Sequence, residues 1–246
     1  MASAGKTLVF GGRGMVGAAI CRELAQRSVG PIASLARSKP ATPALEGVEE
    51  LGSIDALKPE TFESLLPGAK AVVISIGEPP WILDKERAMR SNGSTNISIM
   101  RAAAKHRVPR IVLVNATMPS WGLIAGYREG KQAAEQEAHN YPDSCGVPCS
   151  VLVMKPSAVS GTRQEGSVKI PLWVVLEPMR AFMQIFSRPL QALENLLPSL
   201  LGNVLRPPVR VEEIALAAAD AIEAPAEGGL RELGVNELVG YAAKKA

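Results

Sequence analysis

Aromatic residues make up 4% of this 246-residue chain, which also has two histidines and three cysteines. Each scarcity excludes something. His106 and His139 stand apart from any cysteine cluster, so no zinc site, and no metal at all, is expected. Cys21, Cys145 and Cys149 are too few and odd in number for a disulfide framework and point to reduced thiols in an intracellular compartment. Cys145 and Cys149, four apart around Gly146 and Pro148, read either as a redox pair or as two ordinary thiols in a loop. No run reaches the ~18 consecutive apolar residues that a membrane span requires. The net charge of +3 is spread along the chain without a basic run interleaved with aromatics, which leaves nucleic-acid binding unsupported. No repeat or low-complexity tract is visible. A first strand beginning by Lys6 leaves no room ahead of it for a cleavable presequence in this numbering.

What is present describes a globular protein: 47% hydrophobic and 21% charged residues, in a chain long enough for a full core. A single domain over residues 1–246 is expected, with 162–208 as a smaller cap lobe. The organising stretch is Lys6–Leu24. An apolar run of strand character, Thr7-Leu8-Val9-Phe10, meets Gly11, Gly12, Gly14 and Gly17, and a helical pattern through Val16, Ile20 and Leu24 follows. This strand, tight turn and helix form a dinucleotide-binding pattern. Gly11 permits the turn, Gly12 and Gly14 let N–H groups approach a pyrophosphate, and Gly17 lets the helix pack close to the strand. Phosphates would sit on the helix N-terminus beside Arg13, Met15 and Val16, where unpaired N–H groups and the helix dipole favour an anion.

Further along, Pro31–Arg37 reads as a second strand ending in Arg37-Ser38-Lys39. An NAD enzyme usually presents a carboxylate there, whereas a basic end suits a 2′-phosphate, so Arg37 with Ser38 and Arg13 favours NADP(H) over NAD(H). The alternative for Arg37 is a solvated surface cation. A short third strand, Val48–Gly52, precedes Asp55, which is placed to reach an adenine amino group or, equally, to cap a helix over Pro59–Leu66. The fourth strand, Ala69–Gly77, has the near-continuous apolar run of a strand covered on both faces, and its end, Ser75-Ile76-Gly77, should pass beside the cofactor. A helix over about 84–107 and a fifth strand, Arg110–Asn115, follow; then come a helix from Gly126 to about His139 and a sixth strand, Cys149–Met154, ending at Lys155-Pro156-Ser157. Strands alternating with helices give an α/β fold with a doubly wound parallel sheet. Beyond Gly161, Lys169–Leu205 is rich in Leu, Met and Pro and is cut by Pro189, Pro198, Pro207 and Pro208 into short helical pieces: a mostly helical lobe on the substrate side. Val209–Ala224 reads as a final amphipathic helix with Glu212 and Glu213 near its start.

Tyr127 and Lys131 lie four apart on one face of the helix that follows the fifth strand. A tyrosine protonates a carbonyl that receives hydride when a nearby ammonium lowers its pKa and holds the nicotinamide ribose. With these residues in order, the chain resembles an atypical short-chain dehydrogenase/reductase. It is most similar to the group holding coenzyme Q biosynthesis reductase-like mitochondrial proteins and related plastid proteins, and more distantly to the nucleotide-binding accessory subunit of respiratory complex I. The resemblance runs through the glycine loop, Arg37-Ser38, Asp55, Val72–Gly77, Tyr127-x-x-x-Lys131-x-x-x-Glu135, Lys155-Pro156 and Arg206-Pro207-Pro208-Val209.

The resemblance implies NADP(H) bound by the glycine loop, Arg37, Ser38, Asp55, Ser75–Gly77, Lys131, Pro156 and Ser157. It implies Tyr127 as acid, Lys131 as ribose-binding cation, and Asn115 or Thr117 as hydrogen-bond donor to a carbonyl. Two departures stand out: Asn115-Ala116-Thr117 replaces the superfamily's catalytic serine, unless Thr117 or Ser120 substitutes, and Lys155-Pro156-Ser157 stands where Arg-Pro-Gly is more usual. The implied setting is a mitochondrion, on the matrix side of its inner membrane, or a plastid. The implied partner is an apolar, quinone-like substrate for an enzyme, or a membrane-associated complex for a non-catalytic subunit.

Overall fold

β-branched and other apolar residues in short runs build the centre of the molecule. In β1 (Thr7–Phe10) all four residues are buried, and the same holds for β2 (Ile32–Leu35) and β4 (Ala71–Ile74). The side chains alternate between the two faces of the sheet. Leu8, Phe10, Val72 and Ile74 enter one core with Ile99, Met100 and Tyr141, whereas Val9, Val73 and Val112 enter the other with Ile20, Leu24 and Ile214. The computed structural model describes residues 5–38, 45–82, 84–118, 125–165, 168–197, 201, 203, 205–225 and 228–243. Lys39, Ser120 and Pro198 lie outside them.

With β3 (Val48–Leu51), β5 (Arg110–Val114), β6 (Ser150–Met154) and, later in the chain, β11 (Gly229–Leu233), these strands form one seven-stranded sheet in the order β11-β6-β5-β4-β1-β2-β3. Every pairing in it is parallel. The expected doubly wound α/β sheet is therefore present. Parallel strands need crossovers, and the helices lie on both faces: α1 (Met15–Gln26) on one side, and α2 (Lys85–Met89), α3 (Thr95–Lys105) and α4 (Ala125–Cys145) on the other.

Four details differ from the sequence reading. The helix expected over 84–107 is interrupted by a π-turn, Arg90–Ser94, between α2 and α3. The expected helix after Asp55 is two short 3₁₀ turns, Pro59–Thr61 and Glu63–Leu65, and Asp55 caps neither: its carboxylate accepts from the Leu57 N–H at 3.1 Å. The seventh strand, β11, escaped the reading because four of its five residues are exposed, so it has no apolar run. The lobe after Gly161 opens with an antiparallel hairpin of β8 (Thr162–Glu165) and β9 (Val168–Pro171), following the short β7 (Val159–Ser160).

Two helices complete that lobe, α5 (Trp173–Ile185) and α6 (Ser187–Leu196). Pro189 falls in the first turn of α6, where a missing N–H costs nothing, so it does not break the helix. The chain returns through β10 (Val209–Arg210), which pairs with β7, to α7 (Val211–Glu223), packed beside α1, and ends in α8 (Val235–Leu238). Arg27, just past α1, clasps Asp220 at 2.8 Å and Glu223 at 2.7 Å on α7.

Candidate functional site

At the C-terminal end of β1 the chain turns through Gly11, whose φ of +80° is open to glycine at little cost. The other glycines divide their work differently from the expectation. A Cβ on Gly17 would lie 2.2 Å from the Gly11 carbonyl oxygen, so Gly17 brings α1 against the turn as expected. A Cβ on Gly12 would lie 2.4 Å from the Ser34 hydroxyl oxygen, so Gly12 also serves the packing of the turn against β2. Gly14 is less confined than Gly12 or Gly17: it is exposed, it is the N-cap of α1, and a Cβ there would meet the Gly11 carbonyl at 3.2 Å, a tight contact but the one atom within 4 Å. Among the described residues no side chain caps α1, which leaves its first N–H groups facing the opening.

That opening is a cavity of about 420 Å³ running across the ends of β1, β2 and β4. It gathers Gly11, Arg13, Gly14, Arg37, Ser38, Asp55, Ser75, Ile76 and Gly77, nine of the expected cofactor residues. Arg13 is anchored: it donates to Glu50 at 3.2 Å, to the Ser38 hydroxyl at 3.1 Å and to the Ser38 carbonyl, tying the glycine loop to the end of β2. Arg37 is exposed beside it; its carbonyl accepts from the Ser53 N–H at 3.2 Å, and its side chain makes no hydrogen bond or ion pair among the described residues. Ile54, Ala56 and Leu57 add an apolar wall around Asp55, and Arg90 adds a second exposed cation from the π-turn. Sequence spacing gave no signal for Arg90, because a π-turn shifts the helical register. Met15, Val16, Pro156 and Ser157 lie outside the lining. Met15 and Val16 pack on the core beneath α1, and the Ser157 hydroxyl donates to the Pro207 carbonyl at 2.6 Å.

At the Gly77 end the cavity meets a buried polar cluster. A Cβ on Gly77 would stand 2.7 Å from Asn92 Oδ1 and 3.3 Å from Lys131 Nζ. Gly93 and Gly130 make this approach possible, since a Cβ on Gly93 would fall 2.9 Å from the Gly130 Cα. Asn92 donates to the Ala88 carbonyl at 2.9 Å, while its Oδ1 is buried without a hydrogen-bond partner among the described residues. Lys131 is 5% exposed, donates to the Val114 carbonyl at 3.3 Å, and is pulled down to about 8 by burial. Its Nζ lies 5.9 Å from the centre of the Tyr127 ring. Tyr127 is pushed up to about 12, also by burial, which corrects the expectation that the lysine lowers it.

The expected carbonyl donors are committed elsewhere. Asn115, 3% exposed, gives its amide hydrogens to Glu135 at 2.8 Å and to the Lys131 carbonyl at 3.2 Å, so it straps β5 to α4 instead of facing a substrate. The Thr117 hydroxyl donates to the Lys155 carbonyl at 2.6 Å and borders a separate groove with Arg128, Gln132 and Glu135. Lys155 binds Glu135 at 3.2 Å and Glu232 at 2.6 Å, with His139 also on Glu232 at 2.7 Å. These two carboxylates and one imidazole converge, and the Lys155 ammonium already pairs with both carboxylates. The cysteines are buried thiols, with Cys21 pushed up to about 12 and Cys149 to about 11, chiefly by burial, which leaves little thiolate.

The cavity fits a nicotinamide dinucleotide on observations of its own: an uncapped helix N-terminus at Gly14, a positive-φ glycine turn, an exposed arginine at the end of β2, and an orphaned acceptor beside a buried ammonium at the far end. Residues 11–138 match the NAD(P)H-binding family, and the chain belongs to that family. It is 31% identical over 225 residues to an uncharacterized chloroplastic protein of Arabidopsis thaliana, a match covering 89% of this chain and 71% of that one. Its fold resembles a short-chain dehydrogenase family protein from Francisella tularensis at TM-score 0.61 and 14% identity, over 98% and 99% of the two chains. It also resembles a UDP-glucose 4-epimerase from Thermotoga maritima at TM-score 0.64 and 14% identity, over 95% and 80%.

Proposed function

We propose that this protein is an NADP(H)-dependent oxidoreductase of the short-chain dehydrogenase/reductase kind, working in a plastid on an apolar carbonyl or quinone-like substrate. The observation that carries the reading is the enclosed Lys131 ammonium at the Gly77 end of the cavity, one helical turn from Tyr127. The exposed Arg37 supports the choice of NADP(H), since a guanidinium pairs with a 2′-phosphate in charge-assisted hydrogen bonds. The chloroplastic relative supports the plastid rather than the mitochondrion. The fold neighbours include a short-chain dehydrogenase family protein and a serine dehydrogenase from Escherichia coli.

When bound, the reduced nicotinamide supplies a hydride. The chain's own part is positional and protic. The N–H groups opening α1 and the Arg13-Ser38 link hold the phosphate end, and Arg37 selects between cofactors. Lys131 and the Asn92 carboxamide oxygen hold ribose hydroxyls by donating and accepting. Tyr127, at about 12, keeps its proton at neutral pH and releases it to a substrate oxygen that acquires negative charge. The 162–208 lobe closes the substrate side.

Asn115 and Thr117 favour a second reading. With their donors spent on Glu135 and Lys155, the serine's usual role has no substitute among the described residues, as suits a subunit that binds NADP(H) for stability and turns over nothing. A panel of short-chain quinones and ketones tests the choice. Oxidation of NADPH by the wild type, reduced roughly 10²–10⁴-fold in Tyr127→Phe with unchanged NADPH affinity, supports the enzyme. A flat baseline in both proteins across the panel supports the non-catalytic subunit.

A further inference from the structure

The two lobe helices are inside out. In α5 the buried residue is Arg180, 5% exposed, and in α6 it is Glu194, also 5% exposed. Arg180 sits in a bidentate pair with Glu213 of α7, at 2.6 and 2.7 Å, and also donates to the Pro208 carbonyl; Glu194 pairs with Arg206 at 3.1 Å. The opposite side of α5 carries Val174, Val175, Pro178, Ala181, Phe182 and Ile185, all exposed. Their spacing of i, i+1, i+4, i+7, i+8 and i+11 places them on one face. Val175 and Ile185 are 70% and 76% exposed, and Leu196 of α6 is 74% exposed. In a chain with 4% aromatic residues, Phe182 and Phe186 are both exposed here, with ring centroids 4.7 Å apart, and Trp173 is exposed at the start of α5. A water-facing helix normally presents the reverse pattern, and an apolar surface of this kind marks a place where something docks.

We infer that the outer face of α5 and α6 rests on an anionic lipid surface, with α5 lying in the interface plane. Charge decides the occupant. The two carboxylates of this helix pair are already neutralised, Glu177 by Arg210 at 2.6 Å and Glu194 by Arg206. Arg180 is spent on Glu213. That leaves Lys169, in the strand just before α5, and Arg188, in the first turn of α6, both exposed and with side chains unpaired among the described residues. Apolar residues, interfacial aromatics and uncompensated cations together suit a bilayer with acidic headgroups. A protein partner would call for a hydrogen bond every 100–200 Å² or so, and the six residues of the α5 stripe carry no polar side-chain atom for one. Two-fold pairing of the face with a second copy would add like charges at its rim. No described helix is long and apolar enough to cross a membrane, so the contact is peripheral. Docking here would bring the cofactor cleft to the source of an apolar substrate, but the inference stands without turnover.

The test is flotation of the full chain with phosphatidylcholine vesicles containing or lacking phosphatidylglycerol. Binding should be strong on the mixed vesicles and roughly thirty-fold weaker on phosphatidylcholine alone, the factor that two near-surface cations carry. Phe182→Glu with Ile185→Glu should weaken binding at least about a hundred-fold by removing two inserted apolar side chains, with melting temperature and NADPH affinity unchanged because both sites are exposed. Lys169→Glu with Arg188→Glu, which leaves the apolar face intact, should erase the preference for phosphatidylglycerol. Three outcomes overturn the inference: no flotation with either vesicle, equal flotation of wild type and Phe182→Glu/Ile185→Glu, or a self-associated wild type in sedimentation that the same double variant makes monomeric.

Discussion

The Lys131 ammonium lies over the Tyr127 ring, 5.9 Å from its centre, and its hydrogen bond goes to the Val114 carbonyl at 3.3 Å. Desolvation therefore governs both groups: it raises the tyrosine to about 12 and lowers the lysine to about 8. The protein carries a neutral, fully protonated acid and an ammonium that is costly to keep charged.

The cost of that ammonium is measurable as stability. The folded chain holds the Lys131 proton up to about pH 8 and the unfolded chain up to its ordinary 10.5, so between these values the unfolded state binds more protons and stability rises with pH. The full penalty, roughly 3 kcal/mol, is present below pH 8. Lys131→Met should therefore be more stable than wild type at pH 7 by up to that amount, with the difference shrinking toward pH 10.5, as followed by urea denaturation. The same variant should lose turnover.

The proposed choice of NADP(H) assigns the 2′-phosphate to Arg37. NADPH should bind more tightly than NADH in calorimetric titration, and Arg37→Ala should remove most of the gap, a loss of ~1.5–3 kcal/mol on NADPH with NADH nearly unaffected. Equal affinities in the wild type would refute the assignment.

The glycines separate binding from folding. Gly14→Val should still fold yet fail to bind either nucleotide, since Gly14 lines the cavity at the opening of α1, where the proposed reading seats the phosphates. Gly17→Ala should instead destabilise the protein by about 3 kcal/mol or more, because its Cβ meets a backbone carbonyl at 2.2 Å.

The Arg180–Glu213 pair fixes the lobe. Burial pushes the Glu213 carboxyl up, but Arg180 and the N–H groups of Arg210 and Gly240 outweigh it and hold it below the ordinary 4.5. A lowered carboxyl contributes stability that is present above pH 4.5 and lost as the pH falls through its folded value. Arg180→Met should cost about 3–5 kcal/mol in thermal or chemical denaturation by stranding the Glu213 charge, and adding Glu213→Leu should restore most of it.

Much of the nucleotide end was legible in the sequence. Thr7–Phe10, the Gly11 turn, the helix through Ile20 and Leu24, and Arg37 at the end of β2 are encoded by residues adjacent in the chain, through backbone freedom, period and local charge. The Tyr127–Lys131 spacing is likewise a property of one helix. The tertiary structure alone decided that Gly12 answers to Ser34, that Lys131 meets Asn92 across the Gly93–Gly130 contact, and that Asn115 is bound to Glu135. It also decided that α5 turns its arginine inward, because Glu213 lies 33 residues away in the chain and only folding brings that carboxylate into reach. A local pattern sets which face of a helix is apolar. Which face is buried depends on whether a distant partner can compensate a desolvated charge, and here one does, so the apolar face is left outside.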